Sequence, residues 1–391
     1  MAARSASSTQ TNPLRQPTTP APRRPTRATR PRGLPLTLFL GLAIMLSCQA
    51  LLWLDVHCTG RGPVHTDAEI IALRTGHPPL TFLPRLARLI AVNMTPLSWF
   101  GYIIFLDGLL VVLPKRHIVP GQHSPPKSAS PLRARPHHFV LLALASVFIW
   151  CVFDYINFYF IAAWRYIGMP GNPGIPGDFS DRFLGYFLSF ATIVPGMLLT
   201  GQAFLNLGLF DWAQTRKHRQ RSRRLVGSAS ADGMIASTEA DAPGLPRWAK
   251  ILVLLIGMAM FLWPFLYPDP ITNLTLWTSL VFFLDPLNCK LGRPSMLRDW
   301  QNGYFARTLA AFAGGLTCGL LWEYWNYWAL CKWVYHLPFL GRLEQYKYFE
   351  MPLIGLLGFI PFALECWVMW QTLRIPLDGL AEPLPNEATL L

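Results

Sequence analysis

Five acidic side chains stand well inside long apolar runs of this chain: Asp107, Asp154, Asp285, Glu323 and Glu365. An acid at the middle of a membrane helix is unfavourable by roughly 2.5 to 3.5 kcal/mol on insertion scales, so such groups are expected to face a partner or a wet cavity and to mark function. Asp154 precedes Asn157 by three residues and Glu323 precedes Asn326 by three, which puts carboxyl and carboxamide on one helix face. Tyr155 and Tyr324 follow the two acids directly and supply phenols about 100° further round the helix. Trp322 and Trp325 recur at the same interval, as an aromatic belt at a membrane interface or as the wall of a flat-sided pocket. Carboxyls, amides, phenols and indoles support proton transfer and the stabilisation of cations. Interhelical hydrogen bonding is the alternative use of the same Asp/Asn and Glu/Asn pairs.

Glu323, Asn326, Asp154, Asn157 and Glu365 are therefore the candidate catalytic residues. Asp107, Asp285, Tyr155, Tyr324, Trp322 and Trp325 are the candidates for binding a substrate or an ion. Asp107 is followed by Gly108 and Asp285 by Pro286, and matched Gly or Pro interruptions in equivalent spans point to a midplane site. Pro195 and Pro361 predict a second matched kink. All nine histidines lie in tails and connections or at the very edge of a run. The closely spaced sets that ligate di-iron or haem are missing from the spans, as are a Walker loop, a dinucleotide-binding glycine turn and a nucleophile elbow. The seven cysteines show no CxxC spacing, so neither a metal nor another cofactor is expected.

The elements that must position these groups are membrane helices. Of 391 residues, 52% are hydrophobic and only 14% charged, against roughly 25% charge in soluble domains. Apolar runs at 35–56, 96–113, 138–164, 183–208, 250–267, 273–288, 308–333 and 351–373 predict eight spans of an all-α integral membrane protein. The formal charge of +13 is unevenly placed: 25 of the 34 Lys and Arg fall in the two terminal segments and alternate connections. That bias puts both termini in the cytoplasm. Seven Arg precede the first span, in a segment read as a disordered cytoplasmic tail leading into an uncleaved helix. A basic run from Arg216 to Arg224 marks a cytoplasmic loop; nucleic acid is not an expected partner.

Sliding the second half over the first exposes a duplication. SWFGYIIFLDGL answers LWTSLVFFLDPL, placing Trp99 and Asp107 against Trp277 and Asp285. FDYINFYFIAAWRY answers WEYWNYWALCKWVY, so that Asp154 matches Glu323, Asn157 matches Asn326, Trp164 matches Trp333 and Tyr166 matches Tyr335. Pro195 matches Pro361, while Glu365 has Leu199 as its counterpart. Four spans return each unit to its starting side, so the repeats are expected to be parallel, about an axis along the membrane normal. The organisation is then a basic tail (1–34), a first four-helix repeat (35–210) with an outer insertion (57–95), a flexible linker (211–249), a second repeat (250–373) and a C-terminal tail (374–391). Within the insertion, LTFLPRLARLIAVNM has the spacing of an amphipathic interfacial helix.

At WEYWNYWALCKWVYHLP (322–338) and FEMPLIGLLGFIPFALECW (349–367) the chain resembles a family of uncharacterised bacterial multi-pass membrane proteins. A more distant likeness is to membrane lycopene cyclases and carotenoid hydratases, whose spans carry aromatic residues and a Pro-carboxylate element. Here the order is Glu350, Met351, Pro352. The expectation is an acid/base enzyme of a bacterial inner membrane acting on a membrane lipid, an isoprenoid or another hydrophobic small molecule. A proton- or cation-coupled transporter and a membrane scaffold or assembly factor are the alternatives.

Overall fold

The computed structural model describes residues 33–76, 81–113, 130–215, 245–267, 273–377 and 390. Most of the expected N-terminal tail, linker and C-terminal tail lie outside the described residues. The rest is a helical membrane bundle. In chain order its helices are α1 (Leu36–Thr59), α2 (Asp67–Gly76), α3 (Phe82–Val92), α4 (Met94–Val112), α5 (Pro131–Ala134), α6 (Pro136–Ile156), α7 (Phe179–Phe190) and α8 (Ile193–Leu207). They continue with α9 (Arg247–Leu266), α10 (Asn273–Lys290), α11 (Met296–Gln301), α12 (Ala306–Tyr327), α13 (Leu353–Leu356) and α14 (Phe359–Leu377). Strands β1 (Trp164–Ile167) and β2 (Lys332–Tyr335) pair with each other, as do β3 (Lys347–Tyr348) and β4 (Met351–Pro352).

Among the described residues, six helical segments are long and apolar enough to cross a bilayer: Leu36–Thr59, Met94–Val112, Pro136–Ile161, Phe179–Leu207, Arg247–Leu266 and Leu353–Leu377. Each needs about 20 apolar residues to do so. The expected spans at 273–288 and 308–333 are helical too, as α10 and α12, but they are more polar and not among the six. The second of them also ends early: α12 stops at Tyr327 and the chain turns into β2.

Glycines set the closest helix contacts. A Cβ on Gly41 of α1 would lie 2.3 Å from Phe105 N of α4, and one on Gly257 of α9 would lie 2.3 Å from Phe283 N of α10. Small residues allow such backbone approach where lipid supplies no hydrophobic drive. Gly108 belongs to the same class, its Cβ position lying 2.4 Å from Leu38 N. This corrects the reading of Gly108 and Pro286 as helix interruptions: α4 runs through the first and α10 through the second. Proline at 195 and 361 is likewise not mid-helix. Each is the third residue of a helix that restarts after a break, at Ala191–Thr192 before α8 and at Leu357–Gly358 before α14. In the first turn a proline's missing N–H leaves no bond unmade.

The insertion forms α2 and α3. On α3, Phe82, Leu83 and Leu89 are exposed while Ala87, Arg88 and Ala91 are buried, which is the amphipathic arrangement the spacing implies. Arg88 reaches inward to Asp55 at 2.7 Å, and Arg61 donates to the same carboxylate at 2.9 Å. Arg61 also donates to Trp328 O at 2.8 Å, tying the end of α1 to the end of α12.

Candidate functional site

Where α6 and α12 end, the chain leaves each helix in the same way. After α6 a π-turn over Asn157–Ile161 brings Ala162 into the left-handed region at φ 52°. The Asn157 carboxamide then holds the next segment, accepting from Ala163 N at 2.9 Å and donating to Trp164 O at 2.8 Å. Asn326 does the same after α12, accepting from Trp333 N at 3.0 Å and donating to Trp333 O at 2.8 Å. Both amides are fully buried, and the hydrogen bonds they make here go to backbone. They shape the site rather than face a ligand.

Held in this way, β1 and β2 pair antiparallel with Trp164 opposite Tyr335 and Tyr166 opposite Trp333. Paired residues project to one face of a ribbon, so four aromatic side chains share that face. The ribbon centre, Arg165 opposite Val334, is a point of local two-fold character for the residues matched in sequence. Aromatic contacts repeat it: Trp99 packs on Trp322 with ring centroids 5.0 Å apart, and its match Trp277 packs on Phe153 at 5.3 Å.

The matched acids Asp154 and Glu323 lie behind this ribbon. Tyr166 OH donates to Asp154 Oδ1 at 2.9 Å, and Trp164 Nε1 donates to the same oxygen at 3.1 Å. Tyr335 OH donates to Glu323 Oε1 at 3.1 Å. An indole N–H in turn donates to each phenol oxygen, from Trp150 to Tyr166 at 3.2 Å and from Trp333 to Tyr335 at 2.8 Å. Burial, the largest cause, and the neighbouring carboxyl push both phenols well above the usual tyrosine range, so they remain protonated. Glu323 is fully buried and its Oε2 has no hydrogen-bond partner.

A cavity of about 590 Å³ adjoins the ribbon. Six indoles line it, those of Trp99, Trp150, Trp164, Trp277, Trp322 and Trp333, together with Tyr166, Tyr186, Tyr335, Phe190, Phe359 and Phe362. Its volume falls within the roughly 300–1,000 Å³ of small-molecule sites. Neither Asp154 nor Glu323 is part of the lining; their phenol partners are. Lys332 also lines the cavity, with its side chain fully buried. It forms an ion pair with Glu350, donates to Tyr327 O at 2.8 Å and stands 5.2 Å from the Tyr327 ring centroid. His65 Nδ1 completes the cluster, 3.2 Å from Glu350 Oε1.

The other sequence candidates lie elsewhere. Tyr155 is exposed and packs on Tyr159, while Tyr324 packs on Phe349. Trp325 is buried behind the lining against Trp99. Glu365 is fully buried between α14 and α10, with Oε1 3.3 Å from Leu280 N and Oε2 without a partner. Asp107 accepts from Ser130 and from Arg133 Nε at 3.0 Å; Asp285 accepts from Met296 N at 2.8 Å and Leu297 N at 2.9 Å. Ser130 and Ser295 stand at the N-caps of α5 and α11, so both acids tie down a short helix beyond their span. Among the described residues no group of three metal-ligating side chains occurs.

Asp55, Tyr166, Tyr335 and the Lys332–Glu350 pair escaped sequence reading. Asp55 sits at the end of an apolar run; Lys332 stands out in the sequence as a basic residue near a helix end, but its pairing with Glu350 is set by the fold, and only the β1–β2 register brings the tyrosines to the acids. One signal was available: Tyr166 and Tyr335 are themselves matched, each twelve residues after its acid. Comparison of the chain with protein-family models, with curated proteins and with solved structures finds no match to any of them.

Proposed function

We propose that this protein binds a hydrophobic molecule dissolved in the membrane, a lipid or an isoprenoid, in the aromatic cavity and carries out acid/base chemistry on it with the buried carboxyls. The observation that carries this reading is the cavity itself: six indole faces, with the phenols of two phenol–carboxyl pairs in the same wall. Aromatic faces attract a positive centre by their quadrupoles, and a carboxyl shielded from water is a group suited to delivering or removing a proton. Glu323 is the first acid in this reading, because one of its oxygens is uncommitted; Asp154 is its counterpart.

In this reading the chain crosses a bacterial inner membrane eight times as two parallel four-helix repeats, with both termini cytoplasmic. The two-fold character of the β1–β2 register, the matched asparagine locks and the matched Ser-capped helices favour the repeat. The charge bias favours the orientation. For coupled transport the candidates were Asp107 and Asp285, and these are engaged with α5 and α11; the cavity therefore carries the assignment.

The test is the lipid extract. Deleting the gene is expected to change the mass spectrum of the membrane lipids, with one species accumulating and another lost. Glu323→Gln is expected to reproduce that change while the protein accumulates normally. An unchanged lipid profile in both strains would sink the enzyme reading.

A further inference from the structure

Glu323 does not line the cavity, and Tyr335 does. On this basis, and resting on the reading above, we propose that Tyr335 is the catalytic residue that meets the substrate, with Glu323 as the proton reservoir behind it and Trp333 as a positioning residue. The substrate is thereby a hydrophobic molecule with a hydrogen-bond acceptor or a protonatable double bond set against Tyr335.

A phenol oxygen has two lone pairs and one hydrogen. Trp333 Nε1 occupies one lone pair at 2.8 Å. The 3.1 Å contact with Glu323 Oε1 works in either direction. With Glu323 ionised, the phenol hydrogen points to the carboxylate. With Glu323 as the acid, its O–H occupies the second lone pair and the phenol hydrogen has only the cavity left. Protonation of a side chain that never touches the ligand thus turns the phenol from acceptor to donor. In the transfer itself the Glu323 O–H bond breaks as a new Tyr335 O–H bond forms, and the original phenol O–H breaks as the substrate takes its hydrogen. A carboxylate and a substrate cation result, the latter beside indole faces, and deprotonation by the reverse path restores both groups.

The two phenols differ. Tyr166 lies 2.9 and 3.2 Å from the two oxygens of Asp154, which also accepts from Trp164. Its hydrogen is aimed at a carboxyl that is already well supplied with donors. Glu323, whose carboxyl interacts with both Tyr335 and Trp333, keeps Oε2 without a hydrogen-bond partner, which is the arrangement that lets the acid form turn its proton toward the phenol. The assignment falls on Tyr335 alone.

Two probes test it on the full-length protein in detergent: dodecyl methyl ketone, which has an acceptor, and tetradecane, which has none. Indole fluorescence reports binding and the infrared carbonyl band reports hydrogen bonding. The expected result is that Tyr335→Phe weakens ketone binding about tenfold, the worth of one hydrogen bond, leaves tetradecane binding unchanged and moves the carbonyl band back toward its frequency in alkane. Tyr166→Phe should do none of these, and Glu323→Gln, whose amide still donates to the phenol, should keep the ketone bound. Equal loss of both probes in Tyr335→Phe, or a carbonyl band that does not move, would overturn the assignment and leave the hydrophobic cavity standing. Failure of the wild type to bind either probe would overturn the cavity reading as well.

Discussion

Asp55→Ala is expected to lower the stability of the purified protein by about 3–5 kcal/mol, the usual effect of stripping one partner from a buried ion pair. Two guanidinium groups depend on that carboxylate, Arg61 at 2.9 Å and Arg88 at 2.7 Å, and all three residues are buried. Burial lowers the Arg61 pKa while Asp55 holds it up, so loss of the carboxylate leaves burial unopposed. The insertion is anchored to the bundle through this triad, since Arg88 belongs to α3 and Arg61 follows α1. Chemical unfolding in detergent reads the change, and limited proteolysis should show the segment around α3 becoming the first to be cut. A loss under about 1 kcal/mol, the scale of an exposed pair, would show that the two arginines are solvated.

Lys332→Met is expected to be comparably damaging, again about 3–5 kcal/mol, for a different segment of chain. The ammonium is fully buried and neutralises Glu350, itself 4% exposed in its side chain. Its removal leaves that carboxylate with His65 alone and also empties the 2.8 Å bond to Tyr327 O. Because much of this effect is the stranded acid, Lys332→Met combined with Glu350→Gln should recover part of the loss, as neutral partners of similar size are tolerated better than a lone charge. If the double variant is as unstable as the sum of the two single ones, the pair is not coupled and the cluster has been misjudged.

Hydropathy, a local property, made the helices legible: predicted spans such as 35–56 and 250–267 lie within a few residues of α1 and α9. Sequence matching between the halves also chose residues that the fold uses alike, for Asn157 and Asn326 each grip the strand that follows. What periodicity could not supply was direction. Tyr155 and Tyr324, adjacent to the acids in sequence, point away from the cavity, whereas Tyr166 and Tyr335 return to them through strand pairing. Gly108 looked like a helix breaker because glycine is one in isolation; in a packed bundle its missing side chain is what lets α1 approach. Asp107 and Asp285 were recognised as unusual, and the reason lies outside their spans, in the short helices they hold. The Ser-x-Leu-Arg that recurs at 130–133 and 295–298 was the sequence trace of that arrangement.

On the proposed function a hydrophobic molecule occupies the indole-lined cavity, and Gly185 offers the most direct test of its presence. This residue lines the cavity, and a Cβ added there meets no atom within 4 Å, so Gly185→Trp can bring an indole to the wall with no clash at its first atom. Organic extracts of the purified wild-type and Gly185→Trp proteins, compared by mass spectrometry, should differ by a hydrophobic compound present in near-equimolar amount in the first and depleted in the second. Identical extracts from two equally folded proteins would contradict the account.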